Sequence, residues 1–102
     1  AQQLLDFATI NGAKAVGMER EIGSLEPGKY ADVVILDGKS PNLRPLLPEN
    51  IVANIVYSGN SLNVKTVMCQ GDIVAEDGKI TTLDTEDVLS RCEDVWKSLC
   101  IR

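Results

Sequence analysis

The sharpest pattern of apolar and polar positions lies near the end of the chain. Val88, Leu89, Cys92, Val95, Trp96, Leu99 and Cys100 recur at offsets 0, 1, 4, 7, 8, 11 and 12, which places all seven on one stripe of an α-helix. Asp84 or Thr85 supplies the N-cap, and Glu86 and Asp87 put acid into the first turn, where the helix dipole favours it. On the opposite face Asp87 with Arg91, and Glu93 with Lys97, form i,i+4 pairs, each contributing ~0.2–0.5 kcal/mol. A helix with such a stripe has to dock, either on the sheet of this chain or on protein outside it.

A weaker helical pattern runs from Gln2 to Val16, with Leu4, Leu5, Ala8, Ala15 and Val16 as candidates for burial. Asn11-Gly12 interrupts it. The reading is a first helix ending near Ala8 and a second from Asn11 or Gly12 to Val16, capped by Thr9 or Asn11 and closed by a left-handed Gly17. A third short helix follows Pro48, a residue tolerated at a first helical position, with Ile51, Val52, Ile55 and Val56 on one stripe and Gly59 as the stop.

The remaining periodicity is that of strands. Ala31 to Leu36 reads as a strand, and its apolar run Val33 to Leu36 has the composition of a strand buried on both faces. It is fed by Glu26-Pro27-Gly28-Lys29, in which Pro27 presets φ and Gly28 supplies the positive φ of a type II turn. Glu21 to Ser24 reads as a short strand or bridge, and Asp37 to Leu47 as an irregular connection. Val64 to Met68, a turn at Gly71, Ile73 to Ala75, the hairpin signal Asp77-Gly78 and Ile80 to Thr82 form a meander of three short strands. The fold class is α+β: a small β-sheet with N-terminal, middle and C-terminal helices. Its organisation is a helical segment over 1–21, a sheet portion over 22–83 with a short helix near 49–57, and a closing helix over 84–102.

Composition narrows the partners. The chain has 102 residues and a formal net charge of -5, with its few basic residues scattered and little aromatic interleaving. Nucleic acid and anionic membranes are poor partners for such a surface. No apolar run approaches the ~20 residues that cross a bilayer. One domain of this size buries roughly 60–70% of its unfolded surface. Cys69, Cys92 and Cys100 match no zinc or redox spacing and read as buried, reduced thiols of a cytoplasmic protein. The chain starts at Ala1 rather than methionine, which suggests a piece of a longer polypeptide.

Candidate chemistry is sparse. The chain contains no histidine, so Ser-His and Cys-His nucleophile pairs are ruled out within it, whereas a Ser-Lys pair stays open although no local motif suggests one. A hydrolytic metal site needs several His or carboxylate ligands on one ion. Asp32, Asp37, Asp72, Glu76, Asp77 and Asp84 all fall in or near turns, where acids are commonly solvated or bonded to nearby backbone. Asp72 to Asp77 lacks the alternating order of a calcium loop. Ser58-Gly59-Asn60-Ser61 reads as the polar loop after a helix. Trp96 and Tyr57 could stack on a ligand, although the position of Trp96 on the apolar stripe favours a core role. No phosphate-binding loop is present. The residues therefore predict no catalytic, cofactor-binding or metal-ligating position in this chain.

Two stretches carry a resemblance. Ala8-Thr9-Ile10-Asn11-Gly12-Ala13-Lys14-Ala15-Val16-Gly17, followed by Ile22-Gly23-Ser24-Leu25-Glu26-Pro27-Gly28-Lys29-Tyr30-Ala31-Asp32-Val33-Val34-Ile35-Leu36-Asp37, resembles the C-terminal region of the amidohydrolase superfamily. Val56-Tyr57-Ser58 and Val64 to Val74, a strand, glycine turn and strand, are similar to the later part of the same region. The closest group is the chlorohydrolase-like enzymes and the deaminases of S-adenosylhomocysteine or methylthioadenosine.

The resemblance implies a metal-dependent hydrolase whose catalytic body is a TIM barrel with a divalent metal, zinc or iron, at the C-terminal ends of its strands. Gln2 to Val16 would follow the last barrel strand, and Ile22 onward would belong to a composite β-sandwich built from both chain termini. None of the family's metal or catalytic positions maps onto a residue here. The implied partners are the barrel and the N-terminal strands. An open sheet edge predicts self-association of the isolated piece. The rival reading is a free-standing, non-catalytic interaction or dimerisation module.

Overall fold

A computed structural model describes residues 1–100. It contains four α-helices, α1 (Gln2–Ala8), α2 (Ile10–Ala15), α3 (Ile51–Ser58) and α4 (Thr85–Cys100), and four strands, β1 (Val33–Leu36), β2 (Val64–Cys69), β3 (Asp72–Glu76) and β4 (Lys79–Ile80). The strands form one antiparallel sheet in the order β1-β2-β3-β4. The α+β class holds. The last two positions of the expected closing helix, 101 and 102, lie outside the described residues.

Turn chemistry sets the sheet register. Gln70-Gly71 joins β2 to β3 with φ of 51° and 88°, and Asp77-Gly78 joins β3 to β4 with φ of 48° and 79°. Both are two-residue hairpin turns with positive φ at each central position, the geometry whose twist matches the flanking strands. Gly28 takes φ 91°, and the Lys29 N–H donates to the Glu26 carbonyl at 3.2 Å, so the turn before β1 forms as its sequence predicts. Val34, Val67, Ala75 and Ile80 pair in register across all four strands. They make one apolar row on a single face.

Several expectations are corrected. Glu21 to Ser24 is a series of turns rather than a strand, organised by the Glu21 and Ile22 amides donating to the Met18 carbonyl at 2.9 and 3.0 Å. β1 begins at Val33, and it is not buried on both faces: Val34 is 57% exposed and Ile35 is also exposed. β1 is an edge strand that pairs only with β2, so its sequence is that of an interior strand and its position is not. α3 starts at Ile51, with Pro48 in the preceding turn and the Asn50 side chain accepting from the Leu47 N–H. The Thr9 hydroxyl donates back to the Leu5 carbonyl at 2.8 Å rather than capping α2. Gly17 does close α2 with φ 72°.

The core is small and partly polar. Leu43 and Ala13 are the buried apolar residues, and Asn63 and Thr66 are buried polar ones. Asn63 is 3% exposed, and both its side-chain polar atoms are hydrogen-bonded. Its Oδ1 accepts from Asn42 Nδ2 at 2.8 Å and from the Asn60 N–H at 2.9 Å, while its Nδ2 donates to Asn42 Oδ1 at 2.9 Å. Asn42 Nδ2 also donates to the Ser58 carbonyl, and Asn54 Nδ2 donates to the Leu43 and Pro45 carbonyls. These amides pin the 3₁₀ turn at Pro41–Leu43 to α3 and to the entry of β2, where the fold would otherwise leave backbone groups unpaired.

The closing helix α4 extends away from this body. Asp84 Oδ1 accepts from the Asp87 N–H at 3.1 Å and caps it, but among the described residues α4 makes no extended packing against another element. The radius of gyration is 17.5 Å, against about 13 Å for a compact domain of this length. The apolar stripe is uncovered: Trp96 is 68% exposed, and Cys69, Cys92 and Cys100 are free and exposed rather than buried. The expected Asp87–Arg91 pair forms at 3.7 Å, while Lys97 pairs with Asp94 at 3.9 Å instead of with Glu93.

Candidate functional site

Two concavities lie on the body. The smaller, of about 610 Å³, is polar and lined by Asp37, Lys39, Ser61, Leu62, Lys65 and Asp77 among others. It carries two acids and two lysines. Asp37 is engaged locally, its Oδ1 accepting from the Lys39 N–H at 2.9 Å, an Asx-type turn that explains an acid at a strand end.

The larger concavity is an apolar groove of about 710 Å³ between α1, α2 and the start of the sheet. Leu5, Ala8 and Val16 from the helices, Ile22 to Leu25 from the following loop, and Val33, Val34, Val67 and Met68 from the sheet line it. Only Thr9 separates α1 from α2, and the two helices stay in contact across it. Asp32 borders the groove, but its Oδ1 accepts from the Gln70 N–H at 2.8 Å and ties the start of β1 to the β2–β3 turn. Ser24 also lines the groove, and its Oγ donates to the Glu26 carboxylate and accepts from the Lys29 ammonium at 2.7 Å, so hydroxyl and carboxylate are both tied to the loop's own cation.

The other weighed acids are equally placed. Asp72 and Glu76 sit at the exposed ends of β3, Asp77 in a hairpin turn and Asp84 at the cap of α4. Among the described residues no three of Cys, Asp and Glu gather around a common point, and the sequence has no histidine. These side chains do not fit a catalytic metal. Tyr57 and Trp96 are exposed and far apart in sequence and fold role, one on α3 and one on α4. No described helix is long and apolar enough to cross a membrane.

One cluster was not apparent in the sequence. Lys29 is 11% exposed in its side chain. Its Nζ donates to the Glu19 carbonyl at 2.5 Å, the Ile22 carbonyl at 3.3 Å and Ser24 Oγ at 2.7 Å, and pairs with Glu26 Oε2 at 3.2 Å. Ser24 Oγ in turn donates to Glu26 Oε2. The Ser24 hydroxyl, and after it Lys29, hold the exposed Glu26 carboxyl below its ordinary value. The available signal was the turn itself: Pro27-Gly28 reverses the chain, so the residue after it points back over the loop.

Comparison with known proteins supplies the context. A model described as "Amidohydrolase family" matches residues 1–74. The chain is similar to a 5-methylthioadenosine/S-adenosylhomocysteine deaminase of Moorella thermoacetica, with 43% identity over 91 residues, covering 89% of this chain and 21% of that protein. It is similar to a 5'-deoxyadenosine deaminase of Methanobrevibacter smithii, 38% identical over 99 residues, covering 97% and 22%. In structure it is similar to an adenosine deaminase of Xanthomonas campestris with bound zinc, with a TM-score of 0.83 and 28% identity, covering 92% of this chain and 21% of that one. The chain thus spans about a fifth of the length of the curated relatives it matches.

Proposed function

This chain belongs to the amidohydrolase family, and on that premise we propose that it is the C-terminal portion of a metal-dependent deaminase, where it contributes half of a β-sandwich and the helices that brace a catalytic barrel. The reaction of the whole protein is hydrolysis of a C–N bond on an aminated heterocycle of the adenosine type: water adds to the ring carbon that carries the amino group, and ammonia leaves. Since the side chains of this portion do not fit the metal, the ligands and the acid–base groups belong to the barrel, and the chain's own contribution is packing.

The observation that carries this reading is uncovered apolar surface of sandwich type. The row Val34-Val67-Ala75-Ile80 crosses the whole sheet, and both its ends are exposed. β1, the most apolar strand, lies at an edge with one side free to pair. The accessible area is 8076 Å², whereas a compact monomer of this mass exposes about 5,600 Å². The excess of roughly 2,500 Å² is the size of a substantial interface rather than of scattered surface residues. N-terminal strands pairing at β1, and barrel helices packing onto α4, would account for it. The same surface makes self-association the expected behaviour of the isolated piece.

The coding sequence upstream of Ala1 tests the premise. A His-x-His motif on a strand several hundred residues earlier is expected, and the polypeptide that contains it is expected to release ammonia from S-adenosylhomocysteine, 5'-methylthioadenosine or 5'-deoxyadenosine. An upstream region without such a motif would refute the proposal.

A further inference from the structure

We propose that the segment Glu19–Lys29 is a lid on one side of the apolar groove, latched shut by the Lys29 ammonium. Three features of the segment support this. It has no regular secondary structure, so no ladder of backbone hydrogen bonds holds it. It nevertheless presses close to α2: a Cβ added at Gly23, which has φ 91°, would lie 2.6 Å from the Ala13 Cβ. And its residues Ile22 to Leu25 line the groove.

What replaces the ladder is the cation. An ammonium has three N–H donors, and Lys29 Nζ aims them at three oxygens spread along the segment: the Glu19 carbonyl, the Ile22 carbonyl and Ser24 Oγ. The Glu26 carboxylate balances the charge and is itself bonded by Ser24. The cage therefore draws the start, middle and end of the lid to one point. The Tyr30 N–H donating to the Glu21 carbonyl at 2.8 Å closes its base. A neutral side chain at position 29 leaves two carbonyls and a carboxylate with no shared donor, and the segment then has little to prefer the closed form. A guanidinium keeps the charge, but its planar fork cannot converge on oxygens arranged around a point.

The latch is a positioning device, and limited digestion by a glutamate-specific protease reads it directly, because the cleavable bonds after Glu19 and Glu21 lie in the lid while those after Glu76 and Glu93 lie elsewhere. The experiment uses the intact polypeptide that carries residues 1–102. Lys29→Gln is expected to raise cleavage in the lid by about tenfold or more, with the other sites unchanged, as a local opening requires. Lys29→Arg is expected to fall between Lys29→Gln and the parent protein. Lid cleavage that stays at the parental rate in Lys29→Gln would overturn the proposal, as would acceleration spread equally over all sites. Should Lys29→Gln not fold, Ser24→Ala removes one arm of the cage while keeping the cation, and the same lid-limited acceleration, smaller in size, is expected. Hydrogen exchange of the parent protein gives a second readout. The Ile22, Lys29 and Tyr30 amides are expected to open as one unit, and unrelated opening rates for the three would also overturn the latch.

Discussion

The asparagine cluster offers the sharpest stability test. Asn63→Ala removes three hydrogen bonds at 2.8–2.9 Å from a side chain that is 3% exposed. At about 1 kcal/mol net for each bond the loss would be about 3 kcal/mol, but the Asn42 amide lies nearer the surface and recovers water, which brings the expected cost to about 2–3 kcal/mol. With a urea m-value of about 1–1.5 kcal/mol/M for a chain of this size, the unfolding midpoint falls by about 2 M. Asn60→Ala is the control. It removes the cap that accepts from the Leu62 N–H at 2.9 Å and costs about 1 kcal/mol. Circular dichroism during urea unfolding measures both. A cost below about 0.5 kcal/mol for Asn63→Ala, or equal costs for the two variants, would refute the claim that the amide cluster holds the connection before β2.

Two further outcomes follow from the loop before β1. Gly23→Ala puts a Cβ into the Ala13 Cβ at a left-handed backbone position, whereas Gly28→Ala at the same φ meets nothing within 4 Å. Gly28→Ala should therefore cost about 1–2 kcal/mol, and Gly23→Ala should add an overpacking cost of about 1–3 kcal/mol, a difference that thermal unfolding of the two variants resolves. Because the folded-state value of the Glu26 carboxyl is depressed, its stabilising contribution is present above the ordinary glutamate value of 4.5 and is lost as pH falls through the lower folded value. NMR titration should show the Ser24 and Lys29 amides responding below pH 4.5, and Glu26→Gln should abolish that response.

Local signals were legible wherever the chain itself decides the geometry. Asp77-Gly78 and Pro27-Gly28 specify their turns through backbone conformations that few other residues accept. The stripe from Val88 to Cys100 specifies a helix whatever surrounds it. Val34, Trp96 and the cysteines have the sequence context of buried residues, and among the described residues nothing covers them. Burial is a property of the partner as much as of the residue. The Lys29 cage and the asparagine cluster were illegible for a different reason. Their partners are backbone carbonyls and amides up to 21 positions apart, and no residue-type pattern marks a carbonyl as an acceptor. The family resemblance implies metal ligands, and this histidine-free chain gathers no such donor set among its described residues.

The central claim is that this chain braces a deaminase whose chemistry lies elsewhere in the polypeptide. The most direct measurement separates the two. The upstream portion and residues 1–102 are produced as individual chains, and ammonia release from S-adenosylhomocysteine is followed for each chain and for their mixture. Residues 1–102 alone are expected to release none, and their addition to the upstream portion is expected to raise its activity and to bury the exposed Trp96, seen as a blue shift of tryptophan emission. Ammonia release by residues 1–102 alone, or an upstream portion indifferent to their presence, would contradict the account.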